Sequence, residues 1–394
     1  MTKRLKFVAF VVLLAALLVP DCAAQTPVRY ENSHDAMGTT FTVVAYGKDS
    51  AYLSEVVREV FEEMDRLDAQ MSNYRPQSEL SEINRQAAKH AVIVEPRLFG
   101  LIRDSLRLSD ETGGAFDVTV GPLLKAWGFF RGQGRVPSGS ELAEVMKSVG
   151  YRHAKLDPER REIRFDSPGV ELDLGAIAKG YALDRAAEIL RANDITRTLV
   201  SCGTSSFEAL DSPPGERGWK ISIRDPYDKR KAADVVLLRN FSLSVSGNYE
   251  KFFTLDGKTY SHIFDPITGR PVENMLSTAV LAPLGETTDA LSTSFYVLGA
   301  QRSRALLEHH SNVAVIFYMP GNSRGDYRRV VSRSPHYTLP PGSRAEIEGP
   351  RRHSPSRPGR KSPAQFTGSV TQRSPWRPTG RSCTSQHARH KSRP

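Results

Sequence analysis

The chain has little cysteine, with 3 in 394 residues, and this scarcity excludes a small fold held together by disulfides. It is also short of long apolar runs. The one at residues 7–19 is too brief to cross roughly 30 Å of hydrocarbon comfortably as a permanent helix, so a multi-span membrane protein is excluded. A collagen-like composition is missing as well. What is present, 39% hydrophobic, 25% charged and 8% aromatic residues, describes a globular protein long enough for one large or two small cores.

Charge is unevenly spread. From His336 onward 12 Lys and Arg face 2 Asp and Glu, which accounts for the whole net charge of +10, and residues 1–335 balance to zero. The basicity belongs to a tail, so no nucleic-acid partner is expected. Residues 1–24 have the parts of a signal peptide: Lys3, Arg4 and Lys6, then the apolar run, then Ala23-Ala24. Export is expected, to the periplasm or the inner-membrane surface facing it. Cys22 stands where a bacterial lipoprotein carries its lipid. Pro20-Asp21 suits lipid attachment poorly, so Cys22 is expected to leave with the leader. Residues 336–394 are rich in Ser, Arg and Pro without helical or strand periodicity, and are expected to be disordered. Cys202 and Cys383 then remain, with nothing in their spacing to suggest a pair.

Between these ends, residues 25–335 read as one catalytic unit of the α+β class. Apolar stripes predict helices over 54–71, 96–111, 120–127, 140–149, 177–192, 290–298 and 301–309. Strands are expected at 40–46, 199–201, 220–224, 235–238, 243–246 and 313–318. Several strands follow one another between 196 and 282 without an intervening helix, which implies antiparallel sheets with packed helices.

Four clusters are candidates for chemistry. Thr112-Gly113-Gly114-Ala115-Phe116-Asp117 combines two glycines that permit close ligand approach; a helix cap followed by a turn explains them equally. Its spacing is neither that of a dinucleotide-binding turn nor of a P-loop. Around Asp173-Leu174-Gly175-Ala176, a strand is expected to end at Asp173 and a helix to begin near Gly175, offering an anion the helix N-terminus with Lys179 one turn inside. Helix capping and a surface charge are the plainer readings of Asp173 and Lys179. His262-Ile263-Phe264-Asp265-Pro266-Ile267-Thr268-Gly269 sets a histidine before a turn, where it could be structural or catalytic. Asp289, Ser292 and Thr293 share one helix face, an oxygen set suited to Mg²⁺ or, alternatively, to ordinary first-turn hydrogen bonding.

Met37-Gly38-Thr39, then Met71-Ser72-Asn73-Tyr74 with Ser78-Glu79-Leu80-Ser81-Glu82-Ile83-Asn84, then the four clusters in order resemble the ApbE family of FAD:protein FMN transferases. The resemblance runs from about Met37 to Tyr318. It implies Mg²⁺-dependent transfer of the FMN half of FAD to a threonine hydroxyl of a redox subunit, with release of AMP. It assigns FAD contacts to Met37, Tyr74, Ala115, Phe116, Asp117, Asp173, Lys179 and Ile263. It assigns the metal to the Ala176 carbonyl, Asp289 and Thr293, with Ser292 where the family often has a second carboxylate. His262 matches the catalytic histidine. Cys202 departs from the family's glycine-rich turn, with consequences the residue types leave open. A FAD pyrophosphatase using water as acceptor, and an exported FAD-binding protein without catalysis, are the alternative readings.

Overall fold

The computed structural model describes residues 26–130, 132, 134–323 and 325–333, and the backbone of a strand at 344–348. The expected leader with Cys22, and most of the expected tail with Cys383, lie outside the described residues.

Eight strands form one antiparallel sheet. In chain order they are β1 (Val28–Ala36), β2 (Thr39–Gly47), β3 (Arg197–Cys202), β4 (Ser206–Leu210), β7 (Phe241–Gly247), β8 (Ser277–Ala282), β9 (Ala314–Pro320) and β10 (Tyr327–Arg333). They lie side by side in that order, so each strand pairs with the one before it in the sheet. A second sheet is made of β5 (Trp219–Arg224), β6 (Ala232–Arg239) and β11 (Arg344–Glu348).

Alternation along the strands sorts the side chains between two cores. Val44, Ala279, Leu281, Ala314 and Ile316 point to one face, where they meet Trp219, Ile221, Val236 and Leu238 of the second sheet. Phe41, Val43 and Ala45, and likewise Val280, Val315 and Phe317, point to the other face. Helices cover that face: α1 (Ser50–Met71) over β1 and β2, α6 (Ala178–Ala192) over β3 and β4, and α7 (Gly285–His309) over β7 and β8. The smaller helices are α2 (Glu79–Gln86), α3 (Pro96–Glu111), α4 (Gly121–Ala126) and α5 (Gly139–Val145). The two helices expected at 290–298 and 301–309 are present within α7, separated by a kink at Gly299, where φ is 69°.

Two expectations need correction. No strand ends at Asp173. The Asn84 side chain stands in for a ladder partner, accepting from Leu172 N at 2.8 Å and donating to its carbonyl at 2.9 Å. The following helix starts at Ala178 instead of near Gly175. The stretch 336–394, expected to lack structure, contains β11, whose backbone extends the second sheet along the edge of β6. The alternation of Ala345 and Ile347 with charged residues is the signal that composition masked.

Candidate active site

The site is built around a crossing of two helix ends. A Cβ on Gly180 would lie 2.0 Å from the Gly285 carbonyl oxygen, so α6 and α7 can meet here only because both residues are glycine. Asp184, one turn along α6, accepts from Gly285 N at 2.7 Å and Glu286 N at 2.8 Å, capping α7 from its neighbour. Burial holds the Asp184 carboxyl above the usual carboxylate range, up to about 7, against those two hydrogen bonds.

One turn further along α7, Asp289 is 4% exposed. Its Oδ2 accepts from Gly180 N at 2.7 Å, and its Oδ1 accepts from the hydroxyls of Ser206, at 2.9 Å, and Ser244. Ser292 donates to the Asp289 carbonyl at 2.9 Å and lies 2.7 Å from Ser246 Oγ, which is 3.3 Å from Thr293 Oγ1. The shared face expected for Asp289, Ser292 and Thr293 is therefore present. Ala176 lies four residues before Gly180 and packs against the helix-side core, as does Met37. The oxygens are hard donors with a single carboxylate among them, and the described residues contain no cluster of three His, Cys, Asp or Glu. Such a set suits Mg²⁺, which retains water or substrate phosphate, better than Zn²⁺.

The N-terminus of α6 is not the open anion cradle that was expected. Asp173 Oδ1 already takes Gly175 N at 2.8 Å, and Asp289 takes Gly180 N. Asp173 Oδ2 accepts from Asn73 at 3.0 Å, which ties the loop to the segment carrying Tyr74. Tyr74 is 63% exposed and stacks on Phe130 with centroids 4.7 Å apart. Lys179 is more than a surface charge: its Nζ donates to Ser205 Oγ at 2.9 Å.

His262 follows the hairpin of strands Phe252–Leu255 and Lys258–Ser261. Its backbone N–H donates to the Lys251 carbonyl at 3.1 Å, and its Nδ1 lies 3.0 Å from the same oxygen. A carbonyl only accepts, so this bond places the ring proton on Nδ1 and leaves a lone pair on Nε2. Burial, then the cations of Lys251 and Lys179, push the imidazole down to about 4. The ring is neutral at pH 7. Phe129 flanks it at 6.3 Å, within an aromatic group that includes Phe253, Tyr260 and Phe264.

Ala115 and Ile263 share a core cluster with Leu291 and Phe295 of α7, and Phe116 belongs to the core beneath α6. Asp117 serves its own turn, with Oδ1 accepting from Thr119 N and Oγ1 and Oδ2 from Tyr151 N. It lines a cleft of about 290 Å³ with Gly113, Gly114, Tyr151 and Ile267. Cys202 is fully buried in the helix-side core, its thiol pushed up to about 12 chiefly by burial. There it fills packing space as a small apolar residue.

The sequence reading gave no role to Ser205, Ser206, Ser244, Ser246, Asp184 or Lys251. The alternation Phe241-Ser242-Leu243-Ser244-Val245-Ser246 was the available signal, a polar face that a helix turns out to cover.

The profile of the ApbE family matches residues 37–317. The FAD:protein FMN transferase of Treponema pallidum is 32% identical over 318 residues, 77% of this chain and 88% of its own length. That of Vibrio cholerae is 32% identical over 308 residues, 76% and 90% of the two chains. Among solved structures, the ApbE protein of Thermotoga maritima aligns with a TM-score of 0.70 at 29% identity over 79% of this chain and 98% of its own. Sequence and α+β fold agree: the chain belongs to the ApbE family.

Proposed function

We propose that this protein, a flavin transferase, moves the FMN half of FAD onto a threonine hydroxyl of a redox subunit in a Mg²⁺-dependent reaction that releases AMP. Threonine Oγ attacks the FMN-side phosphorus, its proton passes to His262 Nε2, and the bond to the AMP phosphate breaks. The hydroxyl is a poor nucleophile and gains from this base, which the Lys251 carbonyl orients and which is unprotonated at neutral pH. Asp289, Thr293 and the Ala176 carbonyl would hold Mg²⁺, which when bound offsets the charge developing on the phosphate bridge. Lys179 adds a fixed positive charge on the same side. Tyr74, beside Asp173 and stacked on Phe130, offers an exposed aromatic edge to the flavin or the adenine. Export, read from residues 1–24, completes the proposal, because a secreted enzyme needs an acceptor outside the cytoplasm.

The observation that carries this reading is Lys179. It sits next to Gly180, whose N–H holds Asp289, and its Nζ donates to Ser205, the neighbour of Ser206, whose hydroxyl also holds Asp289, so the cation and the carboxylate are tied to the same two elements. The test is incubation with FAD, Mg²⁺ and a threonine-bearing acceptor protein, read by intact mass. A gain of one FMN with equal AMP release supports transfer. AMP release with no mass gain would replace it with hydrolysis, and intact FAD would replace it with binding alone.

A further inference from the structure

We infer that Ser244 and Ser206 are positioning residues that turn Asp289 so that Oδ2 is its metal-binding oxygen. This rests on the Mg²⁺ reading above. Strand β7 carries Ser242, Ser244 and Ser246 on the face covered by α7, and Leu243 and Val245 on the opposite face. Ser242 and Ser244 are 0% and 2% exposed. Serine on the polar face of a strand ordinarily meets water; here each hydroxyl meets a specific oxygen. Ser242 donates to Glu208, Ser244 to Asp289, and Ser246 pairs with Ser292 and Thr293.

Ser206 stands directly across from Ser244 in the β4–β7 register, so two neighbouring strands aim hydroxyls at one atom, Asp289 Oδ1. A carboxylate offers about four lone-pair sites. Two on Oδ1 go to the serines and one on Oδ2 goes to Gly180 N–H. The remaining site is on Oδ2, the oxygen that also takes Gly180 N–H at the start of α6. The serines therefore fix the orientation of the one carboxylate in the set.

The experiment titrates Mn²⁺ alone into the full chain, following the electron paramagnetic resonance of the free ion. Wild type, S244A, S206A, the double variant and S242A are compared, each checked for folding by thermal melt. Removing a partner that orients a metal ligand commonly weakens affinity about 10–100-fold. S244A and S206A are each expected to lose Mn²⁺ affinity in that range and the double variant more, whereas S242A, on the same strand but bonded to Glu208, stays within about twofold. In flavin transfer the single variants should show a raised KM for Mg²⁺ with kcat recovered at saturation. Wild-type Mn²⁺ affinity in folded S244A and S206A would overturn the inference, as would a low kcat that excess Mg²⁺ does not restore. Absence of Mn²⁺ binding in wild type and all variants alike would instead overturn the metal reading on which it stands.

Discussion

The two ends of the proposed active site are held in opposite ways. Asp289 is fixed by long-range structure: a glycine crossing of two helices, a cap from Asp184 and hydroxyls from two strands of the large sheet. His262 is fixed locally, by a carbonyl eleven residues away across a two-stranded hairpin and by aromatic rings around it. The carboxylate end is therefore bound up with folding, while the base end can be altered with little effect on the core. Substitutions at Asp289 should lose stability and activity together; those at His262 should separate them.

The largest effect is expected for Asp289→Ala. Flavin transfer should fall to background. Gly180 N–H and the Ser206 and Ser244 hydroxyls would lose their acceptor, each unsatisfied group costing about 1–3 kcal/mol. Full transfer activity in this variant would remove Asp289 from the site. His262→Ala should lower kcat by roughly 10²–10⁴, the usual worth of a general base, while the melting temperature and Mn²⁺ affinity stay near wild type. A matching loss of stability would show that the two ends are not separable. Gly180→Ala should cost about 1–3 kcal/mol by forcing the helix crossing apart, with a parallel loss of metal affinity measured by Mn²⁺ titration.

A pH profile sharpens the same contrast. In the proposed reaction His262 takes the threonine proton and so acts unprotonated, and its ring is held down to about 4 from an ordinary 6.5. Transfer should therefore keep its rate from pH 8 down to about pH 5 and decline only as pH approaches 4. An acid limb centred near 6.5 would contradict the half-buried, neutral histidine. Stability carries the same sign. Below pH 6.5 the unfolded chain takes up a proton that the folded ring refuses until about pH 4, so this residue lowers stability progressively through that window. The smallest effect is expected at Cys202. Its buried thiol should resist alkylation in the native state, and Cys202→Ala should retain transfer activity.

Much of the architecture was legible because burial writes periodicity into sequence. The helix over 96–111 appears with those bounds, and the run of strands between 196 and 282 correctly implied antiparallel pairing. Strand β1 was not legible, since its residues alternate exposed polar groups without an apolar face, and its pairing with β2 comes from the two-residue turn at Met37-Gly38. Strand β8 was missed for the opposite reason. All of its residues are buried, so Ser277–Ala282 shows no alternation. In the site, the residue types with distinctive chemistry, Asp289, Lys179 and His262, were legible. Their supports were not. Serines facing a helix look like serines facing water, and the glycine crossing joins residues more than a hundred positions apart.

The most direct test of the whole account is flavin transfer to a threonine-bearing acceptor by chelator-stripped protein, before and after Mg²⁺ is restored, with the product followed by mass. The account predicts a rate at background after stripping and full recovery of the one-FMN adduct on adding Mg²⁺. An adduct formed as fast by stripped protein as by the Mg²⁺-restored enzyme would contradict it.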